Sequence, residues 1–230
     1  MKTLVLPFLA GLALATSALR AEVSAQAWLE SYYLNPQPAA LAARVQALSR
    51  EGFLERPGNV PLTIGFLATV FAQHPTRVDG WLQELRSLPE SHQRLLAAAL
   101  WQAGDARGED LLLRLRAPAA VRTEIRRLAT TTADRIADTA VLSPASMNLQ
   151  WGAFLASGDE RHVTRIFDAI GRNEPALGTG AQLALARNAA AHPRVLAICL
   201  AQLERQPSEI QSALRAAFRD AGAVPPAPRG

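Results

Sequence analysis

The segment Pro61-Leu62-Thr63-Ile64-Gly65-Phe66-Leu67-Ala68-Thr69-Val70-Phe71 carries apolar side chains around most of a helical circumference. Leu62, Ile64, Phe66, Leu67, Val70 and Phe71 together predict a helix buried on several sides rather than along one stripe. Gly65 would cost about 1 kcal/mol in an exposed helix, so its presence predicts close packing by a neighbouring helix. Pro61 fits a first helical turn, where a missing N–H leaves no bond unmade.

The pattern stays helical on either side of this segment. Trp28 and Tyr32 are four residues apart, and Leu41, Val45 and Leu48 form the next stripe. Val78, Trp81, Leu82 and Leu85 follow the i, i+3, i+4, i+7 spacing of one helix face, as do Val163, Ile166, Phe167 and Ile170. Val121, Ile125 and Leu128, then Met147, Trp151 and Phe154, then Ile210, Leu214 and Phe218, make shorter stripes. Leu95 to Trp101 contains three consecutive alanines, which allow a second close helix approach. No run reads as a strand.

Turn chemistry divides these stripes into about ten to eleven short helices. Pro89 and Pro144 fit first-turn positions, and Gly104-Asp105 and Gly158-Asp159 each pair a helix stop with an N-cap. Thr76 with Asp79, and Ser208 with Gln211, have the spacing of N-terminal caps. The expected organisation is an export segment at 1–21, one all-α domain at 22–222 with a weak division near 130–143, and a disordered Pro-rich tail at 223–230.

Two turns recur. Trp101-Gln102-Ala103-Gly104-Asp105-Ala106-Arg107 parallels Leu155-Ala156-Ser157-Gly158-Asp159-Glu160-Arg161, and His74-Pro75-Thr76-Arg77-Val78 parallels His192-Pro193-Arg194-Val195 with one residue deleted. On these turns and stripes the chain resembles the general class of tetratricopeptide- or HEAT-like helical-repeat proteins. The resemblance implies stacked helical hairpins, as a short α-solenoid or an irregular helical bundle, and carries no ligand with it.

Composition narrows the function. Lys2, the apolar run Leu4 to Ala15 and small residues that offer cleavage after Ala18 or after Ala21 read as a cleaved export signal. The run is shorter than the roughly 20 apolar residues of a membrane span. The expected location is therefore periplasmic or secreted, with no transmembrane segment after cleavage. Losing Lys2 and Arg20 from the 24 basic residues leaves 22 against 20 acidic ones, too even a balance for nucleic-acid binding. The sole cysteine, Cys199, excludes an intrachain disulfide and a Cys-based zinc site. Its apolar flanks predict a buried, inert thiol.

No catalytic motif is present. There is no GxSxG elbow, and the lone lysine belongs to the export segment. The histidines His74, His92, His162 and His192 form no local metal-binding pair, and no cofactor or metal is expected. His74 and His192 precede proline at helix ends and would matter together only if the fold joined them. The acid pairs Glu109-Asp110, Asp159-Glu160 and Asp134 with Asp138 read as solvated surface, and Glu30 beside Trp28 and Tyr32 is the acid best placed for glycan chemistry. Tyr32 and Tyr33 are adjacent, so one must leave the stripe. Arg114, Arg116, Arg122, Arg126 and Arg127 form the one basic cluster. Arg122, Arg126 and Arg127 are the candidate binding residues, suited to a carboxylate or phosphate on a partner.

The expected function is an exported, non-enzymatic protein-binding or scaffolding module with a protein partner in the cell envelope. The alternatives are an envelope enzyme acting on glycan or peptide, with a site assembled from distant turns, and a chaperone for secreted clients.

Overall fold

The computed structural model describes residues 24–104, 118–129, 135–171 and 174–223. The export segment, Asp105, Glu109-Asp110, Arg114, Arg116, Thr130-Thr131-Thr132, Asp134 and the run from Val224 lie outside the described residues. Among the described residues the protein is all-α: eleven α-helices, short 3-10 turns, and no strand. In chain order they are α1 (Ala25–Ser31), α2 (Leu41–Arg50), α3 (Asn59–Gln73), α4 (Val78–Glu84), α5 (Glu90–Gln102), α6 (Ala119–Ala129), α7 (Pro144–Ser157), α8 (Glu160–Phe167), α9 (Pro175–Ala191), α10 (Pro193–Leu203) and α11 (Ser208–Asp220).

Helix α3, the segment of unbroken apolar character, lies at the centre, with α7 against one side and α5 against another. Gly65 does what its cost requires. A Cβ on Gly65 would stand 2.1 Å from the Leu149 carbonyl oxygen, and a Cβ on Gly152 would stand 1.8 Å from the Leu62 carbonyl oxygen. The two glycines therefore let the backbones of α3 and α7 touch, which no larger residue permits. The two helices come from opposite halves of the chain, so the centre is a bundle contact between sequence-distant elements.

Smaller contacts extend from this crossing. Trp28 and Tyr32 meet Phe66 of α3 edge-on, with ring centroids 5.1 to 5.7 Å apart, and so fasten α1 to the centre. The Tyr32–Leu34 turn and α1 also reach α7. Beyond α7 the packing passes outward: α8 lies against α7, α9 and α10 against α8, and α11 against α9, and Val163, Ile166, Phe167, Val195, Leu214 and Phe218 are buried in these helices.

Helix ends follow local chemistry, with some departures from the expected caps. Gly158 ends α7 with φ +67, and the Asp159 carboxylate then accepts from the Arg161 N–H at 3.0 Å to start α8. Gly104 has the same left-handed turn at φ +70. Thr76 does not cap α4, because Pro75–Arg77 forms a 3-10 turn and Arg77 takes the cap position. Ser208 is the first residue of α11 rather than its cap, and its partner Gln211 donates instead to the Gln206 carbonyl. Pro89 stands at the cap of α5, one residue before the first turn. The formed capping box is at α7, where Ser143 and Ser146 bond each other's N–H groups.

Candidate functional site

The histidines at proline turns go to separate places. His74 closes α3 with its ring edge-on to Trp81 at 6.1 Å. His192 lies between α9 and α10, with Nδ1 3.4 Å from the Tyr33 hydroxyl. The adjacent tyrosines divide accordingly: Tyr32 enters the core, while Tyr33 bridges Phe154 and His192. Burial holds the His192 imidazole below its ordinary range, and Glu30 partly opposes this. Glu30 itself is exposed and accepts from Gln26 Nε2 at 2.8 Å. These residues make a seam between the N-terminal turn and the C-terminal helices. They do not join His74.

The arginine candidates Arg122, Arg126 and Arg127 lie on α6, which buries Val121 and Leu128 and packs against α5. Arg126 and Arg127 are exposed and Arg122 is partly buried. Cys199 is fully enclosed, and burial pushes its thiol up to about 12, which removes it as a nucleophile at neutral pH. Among the described residues, no group of three or more His, Cys, Asp or Glu side chains could hold a metal ion. No helix among them is long and apolar enough to cross a membrane.

Two buried histidines had no special standing in the sequence. His162 of α8 bonds Gln150 of α7 through Nδ1 at 2.7 Å. Gln150 Nε2 donates to the Ile136 and Thr139 carbonyls at 2.6 and 2.8 Å, so Gln150 Oε1 must accept the His162 proton. Every polar atom of this amide has a partner. Burial pulls the His162 imidazole down to about 4, keeping it neutral. This is a structural network.

His92 differs. It is 2% exposed, on the first turn of α5, and its Nδ1 lies 2.9 Å from Ser49 Oγ of α2. Its Nε2 is buried with no hydrogen-bond partner, and the nearest carboxylate oxygen, on Glu55, is 3.8 Å away. A cavity of about 440 Å³ opens beside it, between the Phe53–Glu55 turn, α3 and α5. Its apolar wall is Leu54, Val60, Ile64, Leu95 and Ala98, and its polar rim is Glu55, Ser91, His92 and Arg94. Arg94 pairs with Glu90 one turn earlier on α5. That size falls within the roughly 300–1,000 Å³ of small-ligand sites, and a mostly apolar lining with few polar groups is their usual chemistry.

Ser49, His92 and Glu55 are the residue types of a nucleophile, a base and its orienting acid, but the geometry is not catalytic. The hydroxyl that bonds the ring belongs to Ser49, which does not line the cavity. The acid stands beyond hydrogen-bond reach of the ring. The arrangement instead fixes the ring through Nδ1 and leaves Nε2 enclosed and without a hydrogen-bond partner, on a ring that lines the cavity.

No family model, curated protein or solved structure matches the chain.

The site was missed because both partners of His92 are distant in sequence, Ser49 by 43 positions and Glu55 by 37. One signal was present. His92 begins the series His92, Leu95, Leu96, Ala99, which is the buried stripe of α5, so a polar residue stands where the pattern demands an apolar one.

Proposed function

We infer that the protein is an exported, non-enzymatic binding module for a protein partner in the cell envelope, and that the cavity between α3 and α5 is its recognition site. The observation that carries this reading is His92: a ring held by Ser49 that lines an apolar cavity, with its Nε2 enclosed, unpartnered and 3.8 Å from the exposed Glu55 carboxylate. An unsatisfied buried polar atom costs about 1–3 kcal/mol, which a ligand group bonding it would recover. Glu55 is 68% exposed, so its side chain is free to turn aside and admit such a group. The basic helix α6 packs against α5 and carries the exposed Arg126 and Arg127. Binding is favoured over hydrolysis because no nucleophile bonded to a base lines the cavity.

Affinity capture from envelope extract by residues 22–230, followed by mass spectrometry, tests this. Retention of one stoichiometric protein, weakened about tenfold or more by His92→Phe, is the expected result. Paired Arg122→Glu and Arg126→Glu substitutions report whether α6 belongs to the interface. Equal retention by His92→Phe would place the interface elsewhere. Capture of nothing by a folded monomer would contradict the binding module and favour a glycan- or peptide-hydrolysis screen.

A further inference from the structure

The residues at the cavity rim also form a regulatory device, an inference that rests on the cavity being the recognition site. The two nitrogens of His92 are served unequally: Nδ1 lies 2.9 Å from Ser49 Oγ, and Nε2 is enclosed without a hydrogen-bond partner. In either neutral tautomer one ring nitrogen is a bare acceptor. If it is Nε2, its lone pair faces the Glu55 carboxylate; if it is Nδ1, Nε2–H meets Glu55 without a charge of its own. The imidazolium donates from both sides, to Ser49 Oγ and to Glu55, whichever tautomer it came from. Nε2 and the carboxylate stand 3.8 Å apart, and a closure of about 1 Å completes the charged hydrogen bond. Glu55 is exposed and able to make that movement.

The surrounding charges permit this. Arg94, two positions along α5, would oppose a second cation, but it is paired with Glu90. Ser91 on the same rim is uncharged, and α3 presents Val60 and Ile64, which do not titrate. Arg50, Glu51 and Arg56 adjoin Ser49 and Glu55 in sequence and are exposed. Helix α6, packed against α5, carries Arg122, Arg126 and Arg127, whose charge is fixed at ordinary pH. Histidine is the side chain that changes charge between about pH 5 and 8, so His92 is the group at this rim able to respond there.

We propose that His92 and Glu55 act as a proton-operated pin at the cavity rim. Glu55 belongs to the Phe53–Glu55 turn and His92 to α5, two of the three elements that bound the cavity. The protonated ring ties these two walls together and resists their parting around a ligand. The neutral ring leaves Glu55 free to turn aside. The site therefore admits its ligand near neutral pH and resists it in acid.

The test follows the 15N imidazole resonances of the four histidines in residues 22–230 between about pH 5 and 8, with isopentanol as an uncharged probe of the cavity. His92 is expected to take up a proton in this range, and isopentanol to bind about threefold more weakly at its acid end. Glu55→Gln, at an exposed position, should move proton uptake by His92 to lower pH and remove the pH dependence of the probe. Acid weakening through His162 and His192 is common to both chains, so the difference between them isolates the pin. A His92 ring still neutral at about pH 5, or a Glu55→Gln variant with unchanged titration and probe binding, would overturn the proposal. So would failure of isopentanol to bind at either pH. If the pin fails while His92→Phe still weakens partner capture, the binding module stands. If the pin is measured while His92→Phe leaves capture unchanged, the device stands and the recognition site lies elsewhere.

Discussion

Helix α3 meets its two neighbours in opposite ways. Toward α7, Gly65 and its opposite number Gly152 bring the backbones so close that a single added methyl carbon would overlap a carbonyl oxygen. Toward α5, Val60 and Ile64 face a cavity of about 440 Å³ that neither helix fills. Leu62 and Phe66 lie on the first face and Val60 and Ile64 on the second, each pair one helical turn apart. The same turns of one helix thus serve a dry contact and an open one. Close packing is concentrated at the crossing with α7, and the space beside α5 is the one that the proposed recognition site occupies.

The largest effect should come from closing the distinction at the crossing. Gly152→Ala should cost about 3 kcal/mol or more, because the atoms it would strike are backbone and cannot swing away. In a chain of this size that lowers Tm by roughly 6–12 °C. Gly65→Ala should behave alike, and the double variant should lose less than the sum, since the first substitution already parts the helices. Urea unfolding of the three variants checks this, and full additivity would mean that the two glycines do not share one contact.

Acid should weaken the α7 side of the molecule next. The folded protein holds His162 at about 4, whereas the unfolded chain titrates near 6.5. Unfolded chains therefore take up a proton that the folded state refuses. The stability is fully present above about pH 6.5 and declines as pH falls toward 4, by about 3 kcal/mol in all. His192, also depressed by burial, adds in the same direction. Unfolding midpoints across this window should flatten substantially in His162→Gln, and an unchanged slope would contradict the neutral buried role.

On the cavity side the effects should be smaller. Ile64→Ala removes a side chain that is already partly exposed, and should cost about 1 kcal/mol rather than the 2–5 typical of a sealed core. A loss equal to that of Leu67→Ala, whose side chain is fully buried, would show that the cavity wall is as tightly packed as the crossing. Ser143→Ala should cost about 1 kcal/mol through the cap of α7. Ser208→Ala should stay within about 0.5 kcal/mol, because that serine caps nothing.

Much of the fold was legible in residues 61–71 and in the stripes around them. The helical character, the turn at Gly158, the close approach at Gly65 and the Trp28–Tyr32 pair all follow from short-range spacing. The partner of Gly65 was not legible, because Gly152 is 87 positions away and nothing local to either glycine names the other. Caps were only half readable. Ser143 and Ser208 both precede helical stripes, and a neighbouring proline decides differently in each case, seating Pro144 inside α7 and Pro207 ahead of α11. The candidate site was least readable of all. His74 and His192 drew notice through their turns, whereas His92 gains its character from Ser49 and Glu55, which the fold and not the sequence brings to it.

The most direct test of the division within α3 is a paired measurement on Ala98→Leu, which adds bulk to the cavity without touching the crossing. Its urea unfolding midpoint and its retention of the proposed envelope partner should be read together. The expected result is a midpoint unchanged or raised by about 0.5–2 kcal/mol of cavity filling, with partner retention lost. A midpoint lowered as far as that of Gly152→Ala, or retention left intact in a stable variant, would contradict the account.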